Sequence, residues 1–167
     1  MIVVDTGPLV ALFDATDHSH LGCRRILSRL DERLATTLPA LTEAFHLLRP
    51  RERRVSGLID FIRDGGAAVV PLERDGLSRC FDLMQLYADI PMDFADASIV
   101  AAAEQVGTNK VFTLDHKHFG IYRMRRGYHQ LPFKIVGDPS GPQLVREGVA
   151  ETDVLAAAVP YPEQPGP

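Results

Sequence analysis

Met1-Ile2-Val3-Val4-Asp5-Thr6-Gly7-Pro8 is the stretch on which the reading of this chain turns. Ile2 to Val4 form a short β-branched run suited to a fully buried strand, and Asp5-Thr6-Gly7 breaks it. Pro8 then stands where the first turn of a helix begins, a position at which its missing N–H costs nothing. The expectation is a buried strand that feeds a turn and then a helix, with an acid at its carboxyl end. Three more segments read as strands: Ala67-Ala68-Val69-Val70, closed by Pro71; Lys110-Val111-Phe112-Thr113-Leu114; and Phe133-Lys134-Ile135-Val136.

Helical spacing fills the intervals. Cys23, Ile26, Leu27 and Leu30 recur through His18–Glu32, and Leu41, Phe45 and Leu48 through Pro39–Leu48, with Pro50 as its stop. Val55, Leu58, Ile59 and Ile62 mark a further helix, stopped by Gly65-Gly66. Leu77, Cys80, Phe81, Met84 and Tyr87 make another stripe. Pro91-Met92-Asp93-Phe94 opens a helix that runs through Ala103, is apolar nearly all round and is therefore expected to be central; Gly107 ends it. Strands separated by helices predict an α/β domain of three layers, with a central, mostly parallel sheet of about four to five short strands flanked by helices.

The chain has 167 residues, 46% hydrophobic and 24% charged, enough for one domain with a real core. No apolar run is long enough to cross a bilayer, so no membrane partner is expected. The amino terminus does not read as a signal peptide, and Cys23 and Cys80 make no disulfide framework, so a cytoplasmic location is expected. The net charge of −4 is awkward for a protein that binds nucleic acid, unless divalent cations bring positive charge to its own carboxylates. From residue 137 the character changes. Six of the twelve prolines fall at 139, 142, 160, 162, 165 and 167. The expected division is a folded domain over residues 1–136 and a Pro-rich extension over 137–167, mobile or in contact with a partner, with at most a short helix near Thr152–Val159.

Among 22 acidic residues, four stand out by position. Asp5 and Asp115 directly follow strands, and in an open parallel sheet ligands bind beyond the carboxyl ends of the strands. Asp96 lies in the first turn of the central helix, whose amino terminus favours negative charge. Glu43 interrupts the otherwise uncharged stretch Thr36–Phe45 beside an apolar face, where a carboxylate needs a partner or a metal. Each has a plainer reading. Asp5 and Asp115 can satisfy turn amides, Asp93 can cap its helix with Asp96 completing the arrangement, and Glu43 can be a partly exposed helix residue.

Ile2-Val3-Val4-Asp5-Thr6-Gly7-Pro8-Leu9-Val10-Ala11-Leu12 resembles the opening strand and turn of PIN-domain nucleases. Thr37–Ala44, with Glu43, is similar to their second motif; Met92–Ala101, with Asp96, to the third; Val111–Phe119, with Asp115, to the last. Order and separation match the VapC-type toxins over roughly residues 1–136. The resemblance implies a PIN-like fold, an acidic pocket that binds Mg²⁺ or Mn²⁺, endonucleolytic cleavage of an RNA substrate, and a cognate antitoxin protein as partner. It gives Asp5, Glu43, Asp96 and Asp115 as the catalytic and metal-binding set, Asp5 and Asp96 foremost, with Thr6, Asp93 and Thr113 in support. A homodimer is expected by the same analogy.

Clustered carboxylates repel one another, raise at least one pKa and welcome a hard cation. Mg²⁺ prefers oxygen ligands and keeps several waters, and a water acidified by metal can attack phosphorus in line, leaving a 5′-phosphate and a 3′-hydroxyl. Arg49, Arg51, Arg53 and Arg54 form a basic cluster after the Glu43 helix that reads either as RNA contact or as a solvated face; Arg123, Arg125 and Arg126 form a second. His116 and His118 are expected in a surface loop, having no metal-like spacing to further ligands. Two rival readings are a non-catalytic RNA- or protein-binding PIN-like module, and an aspartic protease suggested by Val3-Val4-Asp5-Thr6-Gly7. The second belongs to a mostly β family in which two such acids share a proton, against the helical pattern here.

Overall fold

The structure, a computed structural model, describes residues 1–49 and 52–137. Pro50, Arg51 and the Pro-rich extension from Asp138 on, including the helix expected near Thr152–Val159, lie outside the described residues. The elements run β1 (Ile2–Val4), α1 (Thr6–Phe13), α2 (His20–Arg29), β2 (Leu34–Thr37), α3 (Leu38–Leu48), α4 (Glu52–Arg63), β3 (Ala68–Val70) and α5 (Arg74–Leu86). They continue with α6 (Phe94–Val106), β4 (Lys110–Phe112), α7 (His116–Ile121), β5 (Arg123–Arg126), β6 (His129–Pro132) and β7 (Lys134–Ile135).

Five strands form one parallel sheet in the order β3-β2-β1-β4-β7. Alternation along each strand divides the core in two. Val3, Ala35 and Val111 face one side and pack with Cys80 and Leu83 of α5 and with the interior of α6. Ile2, Val4, Leu34 and Phe112 face the other and pack with Leu9 and Leu12 of α1, Cys23 of α2, Leu41 and Leu48 of α3 and Leu58 of α4. The expected three layers follow from this period of two. Residues 97–103 of α6 are buried without a break. A helix walled in on every side has no polar face to show, which is why its sequence is apolar all round. Gly107 then ends it in the left-handed conformation at φ 72°.

Three features depart from the expectations. β2 reads as nothing in particular, yet it is the strand between β1 and β3. β5 and β6 form a separate antiparallel hairpin in a segment read only as a basic patch. His116 and His118 sit in helix α7 rather than a loop, because Asp115 caps that turn and Phe119 is fully buried beneath it.

Candidate active site

The sheet order reverses at β1: the chain moves outward to β2 and β3 on one side and returns to β4 on the other. Such a switch point opens a crevice at the carboxyl ends of its two strands. Asp5 leaves β1 there and Asp115 follows β4. The two strand ends are tied together, since Asp5 N donates to the Phe112 carbonyl at 3.0 Å and the Thr113 hydroxyl donates to Asp5 Oδ2 at 2.7 Å. Asp5 Oδ1 accepts from Thr6 N at 2.7 Å and caps α1. The side chain is only 7% exposed, so it is fixed by these donors and not by bulk water.

The other acids arrive from three further segments. Thr37 caps α3 and sets the turn that carries Glu43, whose Oε2 accepts from the Thr6 hydroxyl at 2.9 Å. Asp93 caps α6 by accepting from Asp96 N at 2.8 Å. Asp96, one helical step inward, accepts from the Tyr122 hydroxyl at 3.2 Å. Asp115 accepts from His118 N at 2.9 Å and bonds His118 Nδ1 at 2.6 Å. Asp5, Asp93 and Asp115 thus do the capping that plainer chemistry assigns them, and they also line one open cleft of about 790 Å³ together with Glu43 and Asp96. Three helix amino termini converge on these acids and offset part of their mutual repulsion.

Repulsion and burial still show. Burial pushes the Asp5 carboxyl up to about 6, against Thr113 and Thr6, which pull it down, with the charges of Asp93 and Glu43 adding to the rise. Burial likewise pushes Asp96 up to about 7, helped by the charges of Asp5, Asp93 and Asp115. The Tyr122 phenol is raised by burial and by Asp96, so it stays a donor. Among the described residues no three acid, His or Cys side chains converge closely enough to hold one ion as they stand. That arrangement fits Mg²⁺ chemistry, in which one or two carboxylates bind directly and waters complete the shell. The donor set is all hard oxygen, and two of its members are raised first by burial and then by the charges of neighbouring acids, both of which a bound cation would offset.

The basic residue at the rim is not one of the expected arginines. Lys117 lines the cleft between His116 and His118. Arg54 is turned away into an ion pair with Asp14 and donates to Thr16 Oγ1 at 3.1 Å, while Arg49 and Arg53 are exposed and line no part of the cleft; Arg51 lies outside the described residues. Sequence reasoning missed Tyr122, whose only signal was an aromatic in an otherwise exposed turn. It also missed the buried pair Thr37–Ser98, hydroxyls 2.6 Å apart, that ties β2 to α6 beneath the cleft.

The family model of the PIN domain matches residues 2–125. The chain is 24% identical over 125 residues to Ribonuclease VapC26 of Mycobacterium tuberculosis, covering 73% of this chain and 92% of that protein. Its fold is similar to the crystal structure of Mycobacterium tuberculosis VapC20, described as a Sarcin-Ricin loop cleaving toxin. The TM-score is 0.65 at 20% identity over 70% of this chain and 92% of the other. It is also similar to a chain of a toxin–antitoxin complex from Klebsiella pneumoniae, with a TM-score of 0.57 at 18% identity over 72% and 92% of the two chains.

Proposed function

The chain belongs to the PIN-domain family, and from that premise we propose that it is a divalent-metal-dependent endoribonuclease acting as the toxin of a toxin–antitoxin pair. The observation that carries this reading is the gathering of Asp5, Glu43, Asp96 and Asp115 around one open cleft at the sheet's switch point. The VapC relatives, one named as a ribonuclease, support the substrate class, and the toxin–antitoxin neighbour supports an antitoxin as partner.

In this reading Asp5 and Asp96 foremost, with Glu43 and Asp115 as further members of the acidic set, would hold Mg²⁺ or Mn²⁺. The chemistry supplied by the ion, when bound, is that of a Lewis acid that makes a water more acidic and offsets charge on a phosphodiester. The protein's own part is positional. Thr113 and Thr6 N fix both Asp5 oxygens, Tyr122 holds Asp96, the Thr6 hydroxyl holds Glu43, and His118 holds Asp115. Lys117 at the rim meets a substrate phosphate. The nuclease domain is taken as residues 1–136 with the Pro-rich segment as an extension. No described helix is long and apolar enough to cross a membrane. A homodimer is part of the proposal, since α5 leaves Leu77, Phe81 and Leu86 exposed; a monomer in gel filtration at micromolar concentration removes that part.

The test is cleavage of defined RNAs and of single-stranded DNA with Mg²⁺, with Mn²⁺, with EDTA and with Asp5→Asn. Metal-dependent cleavage of RNA, lost in the variant, with 5′-phosphate and 3′-hydroxyl ends is expected. A 2′,3′-cyclic phosphate overturns the mechanism. Inert RNA, with cellular effects that survive Asp5→Asn and Asp96→Asn together, makes the chain a binding module instead.

A further inference from the structure

From His116 to Gly137 the chain has no Asp or Glu, but it carries Lys117, Arg123, Arg125, Arg126, Lys134 and three histidines, in a protein whose net charge is −4. This acid-free strip starts at the rim of the cleft, where His116, Lys117 and His118 line it, and runs out into the hairpin β5–β6. The base of the hairpin is fastened. Met124 is buried, Tyr87 Oη accepts from Arg123 N at 3.0 Å, and Glu104 Oε1 accepts from Arg125 N at 2.7 Å while Arg79 holds the same carboxylate. The Arg123 guanidinium is engaged with the carbonyls of Gly120, Ile121 and Tyr122, closing the end of α7.

The outer half is different. Gly127 turns the chain at φ 61°, and Arg126 and His129 face each other across the two-residue connection. Arg125, Arg126 and His129 are exposed, and the Tyr128 ring, at 105% of its reference exposure, touches nothing. Among the described residues neither Arg125 nor Arg126 has a carboxylate partner. The arm thus presents two guanidinium groups with no carboxylate partner among the described residues and one exposed aromatic at its tip.

We propose that this hairpin is a second, distal binding site for unpaired RNA, resting on the ribonuclease reading above: Arg125 and Arg126 take backbone phosphates and Tyr128 stacks on a base. The physical case is complementarity. An acidic protein that acts on a polyanion needs a local stretch where cations stand without acids among them, and this strip is one that begins at the rim of the cleft. A single aromatic ringed by Arg, Gly, His and Gln is a stacking platform, whereas a protein-docking surface has a packed apolar centre. The spacing also serves the cleft. Tyr122 stands level with Asp96 and Arg125 with Glu104, eight residues further along α6 and so about 12 Å from it. RNA reaching from the cleft to the hairpin tip therefore spans several nucleotides.

The experiment is anisotropy titration of a labelled, unstructured RNA of about twelve nucleotides in EDTA, with KM measured on the same RNA in Mg²⁺. Tyr128→Ala is expected to weaken binding about tenfold, Tyr128→Phe to restore it, and the loss to appear in KM rather than kcat. Arg125→Ala with Arg126→Ala is expected to lower the slope of log K against log salt by about 1.4. Unchanged binding and KM in these variants overturn the proposal. So does a shift of the variants to a smaller species in gel filtration, which assigns the hairpin to an interface between copies. Failure of the enzyme reading looks different: wild type cleaves nothing, yet the hairpin variants still lose RNA.

Discussion

The Thr113 hydroxyl donates a 2.7 Å hydrogen bond to Asp5 Oδ2, joining residues 108 positions apart at the ends of neighbouring strands. Thr113 Oγ1 in turn accepts from Asp115 N at 2.9 Å, so one buried side chain sets two of the cleft's acids at once. Asp5 has almost no access to water, and the strength of a hydrogen bond to a charged group is greatest where water cannot compete.

Thr113→Val keeps the shape and removes the hydroxyl. It leaves one oxygen of a buried carboxylate without its donor, so a loss of roughly 1–3 kcal/mol is expected at neutral pH. Urea denaturation checks this. The loss should shrink near pH 4, where Asp5 is protonated, and Thr113→Ser should recover most of it. An equal loss at both pH values would mean that packing or the bond from Asp115 N, not the Asp5 carboxylate, is what Thr113 serves.

Asp5→Asn separates stability from activity. Replacing a buried carboxylate whose pKa is raised to about 6 relieves a desolvation cost, so the metal-free variant is expected to melt no lower than wild type. Even residues that only orient metal ligands cost about 10–100-fold when lost, so RNA cleavage should fall by at least about a hundredfold. Calorimetry beside a cleavage assay decides the matter: a variant that melts earlier and retains activity contradicts both halves.

The pH dependence of stability has a definite sign. Asp5 and Asp96 titrate near 6 and 7 in the folded chain, against an ordinary value of 3.8. Between about pH 4 and 7 the native state therefore binds more protons than the unfolded one, and stability falls as pH rises through that window. Metal-free protein should melt higher at pH 5.5 than at pH 7.5, with Asp96, which is partly exposed, contributing less than its shift implies. Glu32 acts oppositely, held low by Lys110 and the terminal amine, but only below its ordinary 4.5. Stabilisation by added Mg²⁺ should run the other way and grow from pH 6 to pH 8. A melting temperature that is flat in EDTA counts against a repulsive acidic cluster.

Sequence reading reached those parts of the molecule that are governed by local rules. Ile2–Val4 and Lys110–Phe112 are runs whose only sensible place is a buried strand, and the central helix from Phe94 to Val106 announces its burial by having no polar face. Leu34–Thr37 escaped because it is buried on both faces and half of it is threonine. Thr36 and Thr37 are tolerable inside only because Val4 O and Ser98 Oγ accept or share their protons, which are tertiary facts. The hairpin escaped for the opposite reason, since its strands show mostly polar side chains. Asp5, Asp96 and Asp115 were legible as positions relative to strand ends and a helix start, and Glu43 as the one charge in the stretch Thr36–Phe45. Thr113 was expected in support, but the holding of Asp96 by Tyr122 and of Asp115 by His118 was not legible, because those contacts are made by the folded chain.

Lys117 and Arg54 offer a direct contrast between a cation placed for a substrate and one placed for the fold. Lys117 is exposed and lines the cleft, whereas Arg54 is largely covered and pairs with Asp14. A phosphate held by Lys117 releases counterions, so Lys117→Ala is expected to raise KM for RNA several-fold and to lower the salt slope by about 0.7. Arg54→Ala breaks an ion pair whose members do not line the cleft; it should cost up to about 1 kcal/mol in stability and leave the salt slope as it was. Charge count is the same in both variants, which removes net charge as the explanation for any difference. If the two change RNA binding equally, the field of the whole surface draws in the substrate and Lys117 has no particular role. If only Arg54→Ala weakens binding, the phosphates run along α4, and the cleft is entered from that side.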